Sequence, residues 1–448
     1  MKKSILKMST LALVISTFFA SCKKDDGGKV VVDDGVKSDI TTITESTTEL
    51  KGQMKGTLLE GKTYTLKGDL IIPKDQEIIV QPGVTLIAEK DAGGIGYEIT
   101  VHGSLIAEGT KEKPILMSIP VADRTEANIF AGMWGGIQCS EDAKLVLLRW
   151  TRFEYLGDQG GPGTPRAGST RYGFWTRNPN TEFILEDCWV YGCKDDVYRP
   201  NGAKINLVRN TFEFCGENGG DGLNCKSGTV GNISFNLFIG GATNAFKPSN
   251  EGASPVQSNV FVYNNTVLNS GWRRPGMSRG ANINYEVGAR GGAYNNIIVN
   301  CKRGMRALED ADLPNLKFDN NLYYATHQEM VNEFIPQDAV ASTTQVNGTK
   351  VIFGAAKANN PLFVTYNIDQ FTYAQYEAGE LQPKDMNRVG TNNFRLQASS
   401  PAKGAGTTGF SPLTVSWVHA VGNRAPSIMQ PNIDLGCYPT SGSGNNHN

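Results

Sequence analysis

Acidic, amide, aromatic and basic residues recur at matching positions in short segments of the middle of the chain. Each segment contains an apolar residue that we expect to point inward, and side chains alternate along a strand, so the next residue points outward. These outward residues are Trp175, Tyr198, Asn224, Lys247 and Arg306. Aromatic faces pack on sugar rings, while lysine and arginine pair with carboxylates. This combination predicts a surface that binds an acidic sugar.

Further charged residues flank the same segments. Asp195, Asp221, Asn244 and Arg303 stand two places before the inward position, and Arg199 follows Tyr198. Residues 271–306 carry a single acid, Glu286, against seven bases: Arg273, Arg274, Arg279, Arg290, Lys302, Arg303 and Arg306. The predicted substrate-binding residues are Trp175, Tyr198, Arg199, Asn224, Arg303 and Arg306. The alternative interpretation of the basic cluster is a solvated charged face.

The element that positions these residues is a repeat marked by asparagine. Asn210, Asn236, Asn265, Asn296 and Asn321 each stand in the same small apolar pattern, and Asp187 matches the slot one step earlier, with spacings of 23 to 31 residues. Such a period indicates stacked repeats. Short strands with an amide at a recurring corner predict an all-β fold, a right-handed parallel β-helix in which each amide bonds to the next coil.

Composition agrees with a turn-rich β protein. Glycine accounts for 51 of 448 residues, charged residues for 19%, and the net charge is −1, which gives no general attraction to nucleic acid. We expect a monomer with a tether at 22–56, the β-helix at 57–330, a closing segment of the solenoid at 331–440 and a disordered tail at 441–448.

The N-terminus predicts export and lipid anchoring. Lys2 and Lys3 form a basic start ahead of the apolar run 11–19, which is too short to span a bilayer and is typical of a secretory signal at 1–21. The small residues before Cys22 resemble the lipobox of bacterial lipoproteins, and the Lys-Lys-Asp-Asp that follows is similar to the surface-export tag of Bacteroidetes-type lipoproteins. This resemblance implies lipidation at Cys22 and a protein exposed at the surface of the outer membrane.

The segments around Asp221 and Lys247 resemble the family 9 polysaccharide lyases, within the pectate-lyase superfamily. The matching motifs are Asn218-Gly-Gly-Asp-Gly-Leu-Asn224 and Asn244-Ala-Phe-Lys247. The resemblance implies calcium held by Asp196 and Asp221, with Lys247 as the base that removes the proton next to a uronate carboxylate. Calcium would neutralise that carboxylate and make the proton more acidic.

Two positions depart from the family pattern and keep a second function open. Gly220 and Asn224 stand where the family has aspartates, and fewer carboxylates weaken calcium binding. The alternatives are therefore a calcium-assisted lyase acting on a uronate-containing polysaccharide, and a non-catalytic glycan-binding or adhesive surface protein. A polygalacturonase-like hydrolase ranks lower, because no histidine lies between residues 103 and 326.

Overall fold

The described part of the chain contains twenty-nine strands, which stack as parallel coils. The computed structural model describes residues 39–447 apart from 163, 165, 275–279, 335–347 and 382–391, so Cys22, the signal segment and Arg279 lie outside the described residues. From β4 onward, strands pair in parallel with the strand three places later in sequence. Each coil thus gives one strand to each of three sheets, and the predicted right-handed parallel β-helix is confirmed.

The three sheets share their first strands. The opening strands are β1 (Thr41–Thr42), β2 (Glu49–Leu58) and β3 (Thr63–Ile72). β2 and β3 are each long enough to pair in two sheets. Sheet 1 continues from β3 with β6 (Ile99–Val101), β9 (Ile137–Cys139), β12 (Phe174–Thr176), β15 (Tyr198–Pro200), β18 (Leu223–Cys225), β21 (Phe246–Pro248), β24 (Ala281–Tyr285) and β27 (Arg303–Ala307). Sheet 2 continues from β2 with β4 (Glu77–Val80), β7 (Ser104–Glu108), β10 (Leu145–Arg149), β13 (Glu182–Glu186), β16 (Ala203–Val208), β19 (Thr229–Ser234), β22 (Asn259–Tyr263), β25 (Arg290–Tyr294) and β28 (Leu316–Asp319). Sheet 3 continues from β3 with β5 (Thr85–Ala88), β8 (Ile115–Ser118), β11 (Thr151–Leu156), β14 (Trp189–Cys193), β17 (Thr211–Cys215), β20 (Leu237–Ile239), β23 (Thr266–Leu268), β26 (Ile297–Val299) and β29 (Leu322–Tyr324).

The asparagine ladder forms as the spacing predicts, at the corner between sheets 2 and 3. Asn210 Nδ2 donates to Asn236 Oδ1 at 3.0 Å, and the same bond links Asn236 to Asn265 at 3.0 Å. The series continues through Asn296 to Asn321. The slot before Asn210 belongs to Cys188 rather than Asp187, because Trp189 pairs with Thr211. Asp187 instead forms an ion pair with Arg209.

One inward column of sheet 1 shows how the coils are held in register. Phe174, Tyr198, Leu223, Phe246 and Met305 are at most 1% exposed and belong to the continuous core. Burial of one such side chain stabilises the fold by roughly 1.5–3 kcal/mol. Because a shift of one residue would turn this column outward, the register of the neighbouring outward residues is strongly specified.

Short helices occur beside the strands. The α-helices described are α1 (Gln328–Glu333) and α2 (Tyr373–Glu377), and the 3-10 helices are Val121–Asp123, Glu126–Asn128, Leu313–Asn315 and Gly422–Arg424. No helix among the described residues is both long and apolar enough to cross a membrane.

The C-terminal strap, residues 404–447, runs along the outside of the coils. The backbone N–H groups of His419 and Ala420 donate to the buried Glu182 carboxylate, and Arg424 reaches Glu77 near the first coils. The chain then returns, and Asn432 N donates to Asn264. The outward polar residues of sheet 2 therefore find partners in the strap rather than in water.

The structure differs from the predicted boundaries at both ends of the solenoid. β2 lies largely inside the range 22–56 assigned to the tether, because its alternating apolar residues already pack in the core. The range 441–448 was predicted to be disordered, yet Asn445 and His447 are buried. The His447 ring stacks on Trp189 at 3.7 Å, and Asn445 Nδ2 donates to Asn210 O. Local composition did not reveal these long-range contacts.

Candidate functional site

A row of outward side chains runs along sheet 1. Trp175 pairs with Arg199, Asn224 pairs with Lys247, and each pair occupies adjacent coils. The row consists of Gln138, Trp175, Arg199, Asn224, Lys247, Asn284 and Arg306. We call this row, together with the corner residues Asp196, Asp221 and Asn244, the charged strip. The row contains five of the seven residues predicted to bind substrate or act in catalysis, all but Tyr198 and Arg303, and it contains Asn284 in addition.

Tyr198 does not belong to the charged strip. It pairs with the inward residues Phe174 and Leu223, stacks on Phe183 at 4.2 Å and has no exposed surface. The prediction that Tyr198 contacts substrate was wrong by one residue, and Arg199 occupies the outward place. A tyrosine can be buried here because its hydroxyl lies 3.1 Å from Thr176 Oγ1.

The two aspartates of the strip lie on neighbouring coils, and both accept hydrogen bonds from other residues of the strip. Asp196 accepts from Asp221 N at 2.6 Å and from Asn224 Nδ2 at 2.8 Å, and Asp221 accepts from Asn244 Nδ2 at 2.6 Å. Burial raises the pKa of both carboxyls, and a neighbouring carboxylate raises each further: Asp195 acts on Asp196, and Asp196 acts on Asp221. Arg199 near Asp196 and Lys247 near Asp221 oppose the shift.

Lys247 lies between two carboxylates. Its Nζ is 3.1 Å from Glu286 Oε1 and 3.9 Å from Asp221 Oδ2, and the three side chains are 8–14% exposed. Burial lowers the pKa of the Lys247 ammonium, but Asp221 and Glu286 together raise it by more, so the pKa stands above its usual value. In this arrangement Lys247 is a fixed cation. A general base would need the opposite shift.

A second lysine, Lys226, lies beside the strip and was not predicted. It stands two residues beyond Asn224, on the same outward face, and is 5% exposed. Its ammonium pairs with Glu251, whose side chain is 59% exposed. Burial lowers the pKa of Lys226, and the positive charges of Lys247 and Arg199 lower it further. The alternation that identified Asn224 extends to Lys226, so that signal was present in the sequence.

The basic residues predicted to form one cluster at 271–306 do not all lie in the strip. Arg306 lies in the outward row, where its Nε donates to Asn284 Oδ1 at 2.7 Å, and Arg303 lies 3.6 Å from Glu333 of α1. Arg273 instead donates to backbone carbonyls, including Gly240 O and Gly216 O. Burial lowers its pKa to about 10. Arg273 therefore stabilises loops and is not a member of the strip.

The aromatic end of the strip is covered by a loop. The Arg166 guanidinium lies 4.2 Å from the ring centre of Tyr172 and 5.6 Å from that of Trp175, and Arg177 lies 4.8 Å from the latter. Arg166 belongs to the range 157–169, which lacks a strand pattern in the sequence. Guanidinium groups thus lie over the aromatic rings at this end of the strip, and Trp175 is buried beneath them.

The donor set of the strip does not fit calcium. That ion takes six to eight oxygen ligands, with carboxylates carrying most of the charge. Within the described ranges no three histidine, cysteine or acidic side chains are grouped to hold a metal. Asp196 and Asp221 are already hydrogen-bonded, and they face Arg199 and Lys247. Arg199 and Lys247 would repel a cation bound between the two aspartates.

The stacked three-strand coils and the internal asparagine ladder define a parallel β-helix protein, and a row of polar and charged side chains lies on the outside of one of its sheets. Residues 50–147 match the family model of the pectate-lyase like beta helix domain. The protein thus carries a pectate-lyase-like β-helix, which supports a function related to polysaccharide. The matched range ends before Trp175, so it covers the early coils and, of the strip, only Gln138. No curated protein and no solved structure matches the chain.

Proposed function

We propose that the protein binds uronate-containing polysaccharide along the charged strip and cleaves it by β-elimination. The observation that supports this most strongly is the outward row itself. Arg199, Lys247 and Arg306 stand on different coils of one sheet, with Trp175 at one end. Strands of a sheet are about 4.8 Å apart, close to the rise of one sugar residue, so a chain along the strip meets a cation at intervals.

Unpaired polar atoms in the strip favour a sugar as the ligand. Trp175 Nε1, Asn224 Oδ1 and Asn244 Oδ1 are buried and lack a hydrogen-bond partner. Buried polar atoms are normally satisfied, and leaving one unpaired costs about 1–3 kcal/mol. Hydroxyl groups both donate and accept, so the successive sugars of a polysaccharide chain can supply such contacts. Carboxylates pair with the guanidinium and ammonium groups beside them.

Non-catalytic glycan binding is the second candidate, and one observation favours it. Lys247, the base implied by the family resemblance, is held as a cation by Asp221 and Glu286. A cation at that position binds a carboxylate but does not remove a proton. Under this alternative the protein retains acidic polysaccharide at the surface of the cell without changing it.

Binding and cleavage are tested together on a panel of pectate, alginate and glycosaminoglycans, with a neutral glucan as the comparison. We expect retention of an acidic glycan in affinity electrophoresis and an ultraviolet-absorbing unsaturated product. Arg199→Ala and Lys247→Ala should each weaken binding about tenfold, which corresponds to about 1.4 kcal/mol. Lys113→Ala removes a similar charge from an exposed pair with Glu60 and serves as the control.

The outcomes separate the candidates. Binding without product supports the non-catalytic protein, and product formation supports the lyase. Equal retention on acidic and neutral glycans, or no loss in either strip variant, contradicts both.

We further propose that Cys22 carries the lipid anchor of an outer-membrane surface protein. Labelling by a fatty-acid analogue should disappear in Cys22→Ala, and protease added to intact cells should remove the protein from the surface. Labelling of Cys22→Ala at the level of the wild type would contradict the proposal.

A further inference from the structure

Two lysines of the strip differ in how firmly their partners hold them. The partners of Lys247 are Asp221 and Glu286, whose side chains are 8% and 14% exposed. The partner of Lys226 is Glu251, whose side chain is 59% exposed. Because the Glu251 side chain is largely in contact with solvent, its carboxylate can turn into water more easily than a buried carboxylate can. A buried pair cannot be opened so easily.

Elimination next to a uronate carboxylate requires two different groups. A positive charge must neutralise the carboxylate, and a neutral base must take the proton from the adjacent carbon. We infer that Lys226 is the proton acceptor and that Lys247 is the cation that neutralises the uronate carboxylate. This inference rests on the proposed lyase function.

The positions of the neighbouring groups agree with these roles. Lys226 lies just beyond the end of β18, whereas Lys247 lies in β21, which pairs with β18, so the two side chains come from adjacent coils. Asn224, on the strand that leads to Lys226, presents the unpaired Oδ1 atom, and its side chain is almost fully buried. A sugar hydroxyl that donates to Asn224 Oδ1 would be held between the two lysines.

The charges around Lys226 favour its neutral form. Lys247 and Arg199 are the nearby cations, and Glu251 and Asp221 are the nearby carboxylates. Burial and the two cations lower the pKa of Lys226, while Glu251 raises it, and the net direction is downward. When Glu251 turns away, the carboxylate that pairs directly with Lys226 no longer raises its pKa.

The reaction balances without a metal. Lys226 Nζ takes the proton from the carbon next to the carboxylate, and the electron pair of that bond forms the new carbon–carbon double bond. The bond from the next carbon to the glycosidic oxygen breaks, and this oxygen takes a proton from water. The hydroxide left behind removes the proton from Lys226, which restores the free base.

The test compares arginine substitutions, which keep the charge but cannot act as a base at neutral pH. Lys226→Arg should lower kcat at least about 100-fold while leaving KM within about threefold, in the range expected for loss of a general base. Lys247→Arg should keep turnover within about tenfold, and Lys247→Gln should raise KM. Lys113→Arg is the matched control, because Lys113 lies in an exposed ion pair outside the strip.

A second measurement is independent of turnover. NMR titration of isotope-labelled lysine side chains should show Lys226 losing its proton at a lower pH than Lys247. Turnover of Lys226→Arg near the wild-type rate, or titration of Lys226 above Lys247, overturns the inference while leaving the lyase function in place. A wild-type protein that forms no unsaturated product from any uronate polysaccharide overturns both.

Discussion

Replacement of a central ladder asparagine should destabilise the protein by several kcal/mol. The Asn236 side chain accepts from Asn210 N at 2.9 Å and from Asn210 Nδ2 at 3.0 Å, and it donates to Leu207 O and Asn265 Oδ1 at 3.0 Å. Asn236→Ala leaves the buried Asn210 N–H and Leu207 carbonyl without these partners. At about 1–3 kcal/mol for each unsatisfied group, the expected loss is roughly 2–6 kcal/mol.

The assay is urea unfolding followed by tryptophan fluorescence and circular dichroism. Asn180→Ala, in an exposed turn, is the control and should change the free energy of unfolding by less than about 0.5 kcal/mol. The double variant Asn236→Ala/Asn265→Ala should lose less than the sum of the single variants, because the two residues share a bond. A loss below about 1 kcal/mol in Asn236→Ala would refute the view that the ladder bonds stabilise the coils.

Three further outcomes follow from the contacts described above. Tyr198→Ala should cost about 3–5 kcal/mol in unfolding free energy because it leaves a cavity in the core, whereas Lys113→Ala, in an exposed ion pair, should cost less than about 1 kcal/mol; equal effects in urea unfolding would contradict the inward position of Tyr198. A chelator should leave polysaccharide binding within about twofold, measured by affinity electrophoresis, and a loss restored by calcium would contradict the fit described for the strip. Burial lowers the pKa of His447 to about 3. The docked His447 ring therefore contributes its full stabilisation above a pH of about 6.5, and this contribution falls by about 1.4 kcal/mol for each pH unit below that value. Hydrogen exchange of residues 440–447 should rise as the pH falls, and His447→Gln should remove this pH dependence.

The sequence predicted the fold well because one local signal repeats. A buried amide that bonds its counterpart in the next coil needs the same residue at each corner, so Asn210 to Asn321 mark the coils directly. Strand alternation then placed Trp175, Asn224, Lys247 and Arg306 on the outward face. These features depend only on periods along the chain.

The errors arose where the distance from the ladder corner to sheet 1 varies. In the coil of Asp196, the connection from the ladder corner to sheet 1 is one residue longer than the repeat predicts. The inward residue that pairs with Phe174 is therefore Tyr198, and not Val197, the apolar residue expected to point inward. In the coil of Asn284, the connection between β23 and β24 is longer than the repeat predicts. For this reason Asn284 was not predicted as an outward residue. Pairing of Lys247 with Glu286 depends on side chains 39 residues apart, and no local pattern reports such a contact.

The strap changes how the solenoid is expected to fold. In a simple repeat protein each coil touches only its neighbours, so terminal coils can fray independently and folding can spread from any point. Here Arg424 contacts Glu77 across 347 residues of sequence, and His419 and Ala420 contact Glu182 across more than 200. Such contacts raise the contact order and slow folding. They also convert a row of locally stable coils into one cooperative unit, in which the earliest coils reach full protection from exchange and proteolysis only after the last segment has docked.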